Sequence, residues 1–294
     1  MTSQAAEEED TPCCCNSNEQ QAGNHVAAAS SVAAPPRAPA SASTATSAFV
    51  STWYRRLLPQ ECVSFCSPDG RQLFKEAINS PENYMQIYFP LAEQFTTQAE
   101  PAYCGLATLA MCLNALEIDP QRIWKGPWRW YSEELFDCCT PLSVAKEQGI
   151  SLSEFKRIAE CNSVIAQVTR ATKDLTLDDF RDIVKRSCAS SNEIAVLNYS
   201  RKALNQTGDG HFSPIGGYHP GRDMVLVLDV ARFKYPPHWV KLSLAFEAIQ
   251  RMDESIGLPR GVVVLKASDD TTQKHVNRSP KPSCCRVSTE NSRQ

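Results

Sequence analysis

The chain has 294 residues, of which 42% are hydrophobic and 21% charged, and its formal net charge is -3. A charge this close to neutral gives no strong field for nucleic acid or an anionic membrane, and no apolar run reaches the roughly 20 residues that a membrane span needs. The acidic run 7–10 stands where a secretory signal would be basic and then apolar. We therefore expect a cytoplasmic protein without nucleic-acid or membrane partners.

Composition divides the chain into three parts. Residues 1–48 are rich in Ala, Ser, Thr and Pro, and residues 269–294 are similarly polar. Neither part has enough apolar surface to offset the entropy lost on ordering, so we predict that both are disordered, the second with a Cys284–Cys285 pair. Residues 49–268 carry the periodic apolar pattern of a single folded domain.

Within this domain the predicted elements run from helices to strands. The segment 104–116 is unusually apolar for a surface helix, which predicts a central helix. Three shorter amphipathic helices are predicted at 143–148, 153–161 and 177–187, the last opened by a capping box at Thr176. Three β-branched runs predict strands at 194–200, 224–231 and 261–267. Helices followed by an antiparallel sheet, without βαβ alternation, predict the α+β class.

The thirteen cysteines are not interpreted as a disulfide framework, because their number is odd and no secretory signal accompanies them. Cys62 and Cys66 have no CxxC pair or histidine at zinc-site distance. We therefore expect no tightly bound metal or other cofactor. Reduced thiols, several of them adjacent, favour weak binding of soft metal ions.

A cysteine nucleophile needs a lowered pKa, which a helix N-terminus and a neighbouring imidazole both provide. Cys104 stands at a predicted helix N-terminus, because the irregular stretch 98–103 ends there and the apolar helix begins. The side-chain amide of Gln98, together with the backbone N–H of Cys104, would form an oxyanion hole. A buried core cysteine is the alternative, and the local sequence leaves it open.

The histidines narrow the choice of a base, because two of the five fall in the predicted disordered ends. His211 follows a glycine turn at the start of a strand, and Asp229 lies in an apolar strand where an unpaired carboxylate would be costly. Antiparallel pairing across the turn 220–223 would bring the two together. Asp229 would then accept a hydrogen bond from Nδ1–H of His211 and leave Nε2 of the same ring facing the Cys104 thiol. A structural His–Asp pair is the alternative.

Four longer segments carry a recognisable signature: 98–107 (QAEPAYCGLA), 124–130 (WKGPWRW), 207–218 (TGDGHFSPIGGY) and 228–239 (LDVARFKYPPHW). They resemble the phytochelatin synthases, and the likeness extends from about Tyr54 to Lys266. The resemblance implies a papain-like fold, with the cysteine in a helical subdomain and the histidine and aspartate in a following antiparallel β subdomain. It implies Cys104 as nucleophile, His211 as general base and acid, Asp229 as the orienting carboxylate and Gln98 as the oxyanion donor.

The reaction that this resemblance implies is transfer of γ-glutamylcysteine from one glutathione to another. Glycine would leave, a Cys104 thioester would form, and phytochelatins would be the product. Heavy-metal ions such as Cd²⁺ and Zn²⁺ would act as activators, chiefly as glutathione thiolates, in metal detoxification. A glutathione hydrolase with the same triad and a non-catalytic, thiol-rich metal-binding protein are the alternatives, and a homodimer is left open.

The candidate substrate contacts lie beside the nucleophile and in the strands that carry the histidine and the aspartate: Glu100, Tyr103, Gly216, Gly217, Arg232 and Tyr235. Glu100 would meet an α-ammonium group and Arg232 a carboxylate, while the glycines would let the backbone approach a ligand. Loop shaping and a solvated turn are the alternatives. Cys138 and Cys139 resemble a pair common in the family and are weak candidates for a metal site.

Overall fold

The computed structural model describes residues 55–267. Its helices are α1 (Pro68–Ile78), α2 (Tyr88–Glu93), α3 (Cys104–Ala115), α4 (Leu142–Gln148), α5 (Leu152–Cys161), α6 (Leu177–Cys188) and α7 (Leu242–Gln250). Its strands are β1 (Cys62–Ser64), β2 (Val164–Arg170), β3 (Glu193–Ser200), β4 (Gly210–His219), β5 (Met224–Val227), β6 (His238–Lys241), β7 (Met252–Asp253), β8 (Leu258–Pro259) and β9 (Gly261–Ala267). The disorder predicted for 1–48 and 269–294 lies outside the described residues.

Seven of these strands form one antiparallel sheet in the order β1-β6-β5-β4-β3-β9-β2, and β7 pairs with β8 in a separate hairpin. β4 lies at the centre of the sheet, and nine of its ten residues are buried. Helices α1, α3 and α6 all contact it. A strand covered in this way holds its side chains rigidly, so β4 is a suitable carrier for a catalytic group.

The first turn of α3 is fixed against the start of β4. Ten of the twelve residues of α3 are buried, and the Thr108 hydroxyl donates to the carbonyl of Phe212 at 3.2 Å. Gly105 is packed so closely that an added Cβ would lie 2.5 Å from the Ile150 side chain and 3.3 Å from the ring of Phe212. The absence of a side chain at Gly105 therefore lets Cys104 approach the residues around His211.

Most of the predicted elements are confirmed, one predicted strand is shorter than expected, and several observed elements were not predicted. The predicted helices agree with α3 to α6 within about two residues, and the capping box is present, with Thr176 Oγ1 accepting from the N–H of Asp179 at 3.1 Å. The elements that were not predicted are helices α1, α2 and α7 and strands β1, β2, β6, β7 and β8. Among them, β2 is an edge strand with several partly exposed residues, so its apolar signal is weak. The strand predicted at 224–231 ends at Val227, because Leu228 leaves β5 to donate its N–H to Pro214. Between residues 55 and 267, no helix is both long and apolar enough to cross a bilayer.

A bulge in the pairing of β4 with β5 falls at the two adjacent glycines. A Cβ on Gly216 would lie 2.7 Å from Leu228, and one on Gly217 would lie 2.2 Å from the sulfur of Met85. The close approach expected at Gly216 and Gly217 is therefore made by core side chains. This packing accounts for both glycines and gives no support to a role in ligand binding.

Candidate active site

Three separate elements bring Cys104, His211 and Asp229 together. Cys104 is the first residue of α3, His211 is the second residue of β4, and Asp229 follows the end of β5. His211 Nε2 lies 2.8 Å from Asp229 Oδ1, and His211 is close enough to Cys104 to lower the pKa of its thiol. The antiparallel pairing predicted across the turn 220–223 is present, and it links thiol, imidazole and carboxylate in one chain.

The imidazole of His211 is turned the opposite way from the prediction. Its Nε2, and not Nδ1, faces Asp229, which leaves Nδ1 for the thiol of Cys104. Either ring nitrogen can donate to a carboxylate, and the choice depends on side-chain torsions that residue spacing does not determine. Nδ1 is therefore the nitrogen placed to accept the thiol proton.

The charges at the site favour a thiolate–imidazolium pair. Burial opposes the ionisation of Cys104, but the charge of His211 and its hydrogen bond lower the pKa of this thiol. Burial and the charge of Arg201 act to lower the pKa of His211, and they are outweighed by Asp229 and the thiolate, so that the pKa is raised. Burial would also raise the pKa of Asp229, yet His211 and Arg201 hold it well below its usual value.

We expect Cys104 to react with iodoacetamide near pH 6, where an ordinary thiol with a pKa of about 8.5 is almost fully protonated. The lowered pKa of Cys104 keeps the thiolate present until the pH falls through that pKa. The imidazolium partner is lost as the pH rises through the raised pKa of His211. Peptide mass spectrometry after timed alkylation measures the rate.

The variant His211→Ala tests the cause of this reactivity. Its alkylation rate at Cys104 should fall by at least about tenfold near pH 6, since a shift of one pKa unit changes the thiolate fraction tenfold. Alkylation of the exposed thiol of Cys66 in the same samples controls for the reagent. Equal rates at Cys104 in both proteins would rule out the ion pair.

Arg201 belongs to the site, although it was not predicted. It lies in a 3₁₀ turn after β3 with 2% of its surface exposed, and its guanidinium approaches the carboxylate of Asp229 to 2.8 Å. It also donates to the side-chain oxygen of Gln206 and stacks on Tyr235, 5.2 Å from the ring centroid. The one sign in the sequence is a charged residue directly after the apolar run 194–200.

A cavity of about 640 Å³ opens beside Cys104 and His211. Arg260 lies in its wall with 4% of its surface exposed, and its guanidinium is held 3.1 Å from the carboxylate of Asp253. Asn198 also lines the cavity, and its buried side-chain oxygen has no hydrogen-bond partner among the described residues. A buried cation and an unpaired amide suit a ligand with carboxylate and peptide groups.

Two of the predicted substrate contacts lie close to the nucleophile but make other bonds. Glu100 Oε1 accepts from Lys146 Nζ at 2.7 Å, and the hydroxyl of Tyr103 donates to the carbonyl of Leu142 at 3.1 Å. Neither residue is among those that line the cavity. Their roles as substrate contacts stay predictions.

Arg232 and Tyr235, the candidates that follow Asp229, are also engaged elsewhere. The guanidinium of Arg232 lies 4.7 Å from the ring centroid of Phe95, and the hydroxyl of Tyr235 accepts from the N–H of Thr207 at 2.9 Å. The neighbouring residues Ala231, Phe233 and Lys234, rather than these two, line the cavity. A substrate contact at Arg232 or Tyr235 remains a prediction.

The side chain of Gln98 is committed to its own loop. Its Nε2 donates to the carbonyls of Glu100 and Pro101, both at 2.8 Å, and its backbone N–H donates to the carbonyl of Val230, next to Asp229. An oxyanion role would require one of these amide bonds to be exchanged when substrate binds. The role stays a prediction, whereas the position near the triad follows from the bond to Val230.

The predicted pair Cys138 and Cys139 is joined by a third thiol. Their sulfurs lie 3.4 Å apart, and the sulfur of Cys139 lies 3.1 Å from that of Cys161 at the end of α5. Hydrogen bonds within this group hold the pKa of Cys138 well below its usual value. The distance in sequence between Cys139 and Cys161 gives no sign of the contact.

Comparison with known proteins identifies a family for most of this domain. Residues 53–262 match the family model described as Phytochelatin synthase. Similar relatives are "Glutathione gamma-glutamylcysteinyltransferase 3" of Lotus japonicus, 48% identical over 72% of this chain and 44% of its own, and "Glutathione gamma-glutamylcysteinyltransferase" of Schizosaccharomyces pombe, 45% identical over 76% and 53%. The chain thus spans about half the length of the curated relatives it matches.

One solved structure has a weak likeness, a double glycine motif protease from an AMS/PCAT transporter in complex with the leader peptide. It is 14% identical, with a TM-score of 0.36 over 58% of this chain and 89% of that one, values too low to bear on the site.

The arrangement of the site agrees with the family match. A cysteine at the N-terminus of a buried helix, near a histidine and an acid on an antiparallel sheet, has the residue types of a cysteine–histidine catalytic site, and the predicted α+β class with an antiparallel sheet is confirmed. With its family model matched over residues 53–262 and relatives at 45–48% identity, the chain belongs to the phytochelatin synthase family.

Proposed function

We propose that the chain is a glutathione γ-glutamylcysteinyltransferase that makes phytochelatins in the cytoplasm. The observation that carries the proposal is the arrangement of Cys104 and His211 at the wall of the cavity, with the buried carboxylate of Asp229 2.8 Å behind the imidazole. The lowered pKa of the thiol and the raised pKa of the imidazole together favour a thiolate beside an imidazolium, and the thiolate is the form that attacks a carbonyl carbon at neutral pH. The names of the relatives supply the substrate class.

The first half of the reaction releases glycine. The thiolate of Cys104 attacks the carbonyl carbon between the cysteine and glycine of glutathione, and the negative charge passes to the carbonyl oxygen. That oxygen would accept from the backbone N–H of Cys104, at the positive end of α3, and from Gln98 after it exchanges a loop bond. His211 then gives its proton to the glycine nitrogen, the C–N bond breaks, and a γ-glutamylcysteinyl thioester remains.

The second half transfers the acyl group. His211 takes a proton from the α-amino group of a second glutathione as that nitrogen attacks the thioester, and the Cys104 thiolate is restored. The preferred acceptor would be a heavy-metal thiolate of glutathione, so that Cd²⁺ or Zn²⁺ enters as part of the substrate and the product serves metal detoxification. Water as acceptor would give γ-glutamylcysteine alone.

The charges around the cavity suit such a substrate. Glutathione carries carboxylates at both ends and an ammonium group at one. Arg260 and Lys234 in the cavity wall offer cations for the carboxylates, and Asp253 and Glu254 offer acids for the ammonium group. The unpaired oxygen of Asn198 would accept from a peptide N–H.

The experiment is mass-resolved product analysis of the purified chain with glutathione, with and without Cd²⁺. We expect (γ-glutamylcysteine)ₙ-glycine peptides that grow with Cd²⁺ and that are absent in Cys104→Ser. The variant Cys66→Ser, which removes an exposed thiol away from the cavity, should retain the activity. Glycine and γ-glutamylcysteine without longer peptides would establish the hydrolase instead. No turnover in the folded chain would leave a thiol-rich metal-binding protein.

A further inference from the structure

The three thiols of Cys138, Cys139 and Cys161 form a cluster away from the cavity, which we call the thiol cluster. Its sulfur atoms all lie within 4.8 Å of one another. It is the one group of at least three histidine, cysteine or acidic ligands that lies this close among residues 55–267. None of its members lines the cavity at Cys104, so the proposed reaction does not account for it.

The spacing of the sulfurs is close to that of metal thiolates. A tetrahedral ion with bonds of about 2.3 Å separates its sulfur ligands by about 3.8 Å. The neighbouring distances here are 3.4 Å and 3.1 Å, so a small outward movement of each thiol would admit an ion. A disulfide would need a sulfur–sulfur distance of about 2.05 Å, well below either value.

Contacts that do not involve the sulfurs hold the two parts of the cluster together. Next to Cys139, the hydroxyl of Thr140 donates to the carboxylate of Glu154 on α5 at 3.0 Å. Cys161 ends α5, and the Asn162 side chain caps that end by donating to Ile158 at 2.7 Å. The three sulfurs therefore meet on a framework that is already fixed, which lowers the entropy cost of binding an ion.

Access and charge also favour a cation at this place. All three thiols are half-buried, so an ion can reach them from solvent. Cys161 lies at the C-terminal end of α5, where the unsatisfied carbonyl groups carry partial negative charge. Sulfur ligands select soft ions.

We propose that Cys138, Cys139 and Cys161 bind one soft metal ion such as Cd²⁺ directly, as three thiolate ligands, with the fourth position open to solvent or to a thiol from solution. This site is distinct from the metal thiolate that the proposed function assigns to the substrate. The thiols release their protons to solvent on binding, and no electron transfer is needed.

An ion here would also stiffen part of the cavity wall. Glu154 accepts from Thr140, lines the cavity, and caps α5 through Ser151. A metal that fixes Cys139 against Cys161 would therefore hold Glu154 in place. This consequence rests on the proposed function, whereas the binding does not.

The test measures metal binding without glutathione, in the Cys104→Ser background and in a reductant that has no thiol. Cd²⁺ is titrated against a chromophoric chelator while the ultraviolet cadmium–thiolate absorbance is followed. Adding Cys161→Ser should weaken the tightest site by at least about tenfold, since even groups that only support ligands contribute about 10–100-fold. Adding Cys66→Ser should leave that site unchanged. Equal affinity in both variants overturns the proposal.

A footprint of the protein without cluster mutations covers the case in which Cys161→Ser fails to fold. Cd²⁺ at one equivalent should protect Cys138, Cys139 and Cys161 together from alkylation, while Cys66 stays reactive. Protection of cysteines elsewhere with these three still reactive would overturn the site. Because neither measurement needs turnover, an inactive enzyme would sink the proposed function and leave this inference intact.

Discussion

Asp229→Asn is expected to lower the rate of glutathione turnover by about 10⁴-fold, the size of effect found when the orienting aspartate of a serine-protease triad is replaced by asparagine. Asp229 Oδ1 accepts from both His211 and Arg201, and the Arg201 guanidinium also lies 2.8 Å from Oδ2. An asparagine that keeps its oxygen at the Oδ1 position would turn its NH₂ group toward this guanidinium, and it would lack the negative charge that favours the imidazolium. The measurement is kcat for the variant and, independently of the reaction, its alkylation rate at Cys104 near pH 6.

Asp223→Asn is the matched control for this substitution. Asp223 also pairs with an arginine, Arg181, at 3.1 Å, but 42% of its side chain is exposed. Water can replace the lost contact there, so activity should stay within about twofold of the wild type. If Asp229→Asn retained wild-type turnover and alkylation, the orienting role of Asp229 would have to be abandoned.

Arg201→Met is expected to lower the free energy of unfolding by about 3–5 kcal/mol, because it removes one partner of a buried charge. Asp229 is completely buried and Arg201 nearly so, and methionine fills a similar length without a charge. Urea unfolding followed by circular dichroism measures the change.

The same variant should raise the pKa of His211 further, since the guanidinium of Arg201 lowers that pKa in the unsubstituted protein. Reactivity at Cys104 that depends on the imidazolium should then persist to higher pH.

Arg181→Met removes the partner of Asp223 and serves as the comparison. It should cost about 1 kcal/mol or less because that pair is partly exposed. If Arg201→Met lowered the free energy of unfolding no more than Arg181→Met does, the buried carboxylate of Asp229 would be stabilised without the guanidinium.

The parts of the site that depend on local sequence were predictable. Cys104 could be placed because a proline-containing stretch ends where an apolar helix begins, and helix starts leave a signal in the sequence. His211 and Asp229 could be paired because two apolar strands flank a short turn, and antiparallel register follows from turn length. The resemblance to a family supplied their roles.

The parts that depend on side-chain torsions and distant contacts were not predictable. The orientation of the His211 ring is set by packing, as is the meeting of Cys139 with Cys161. Arg201 is an unusual fully buried arginine, and charged residues after a strand are normally on the surface. The glycines at 216 and 217 carry the same signal whether a ligand or the core approaches them, and here it is the core.

The position of β9 inside the sheet has a consequence for how the protein is made. β2 is hydrogen-bonded only to β9, with Val164 opposite Ala267, so a growing chain on the ribosome cannot pair β2 until nearly the whole described domain has been synthesised. Contacts between such distant residues form late in folding. Cys104 leaves the ribosome well before His211 and Asp229 do, and until they join it the nascent protein carries an ordinary thiol. The reactive cysteine therefore comes into being only when the sheet that supports its partners is built.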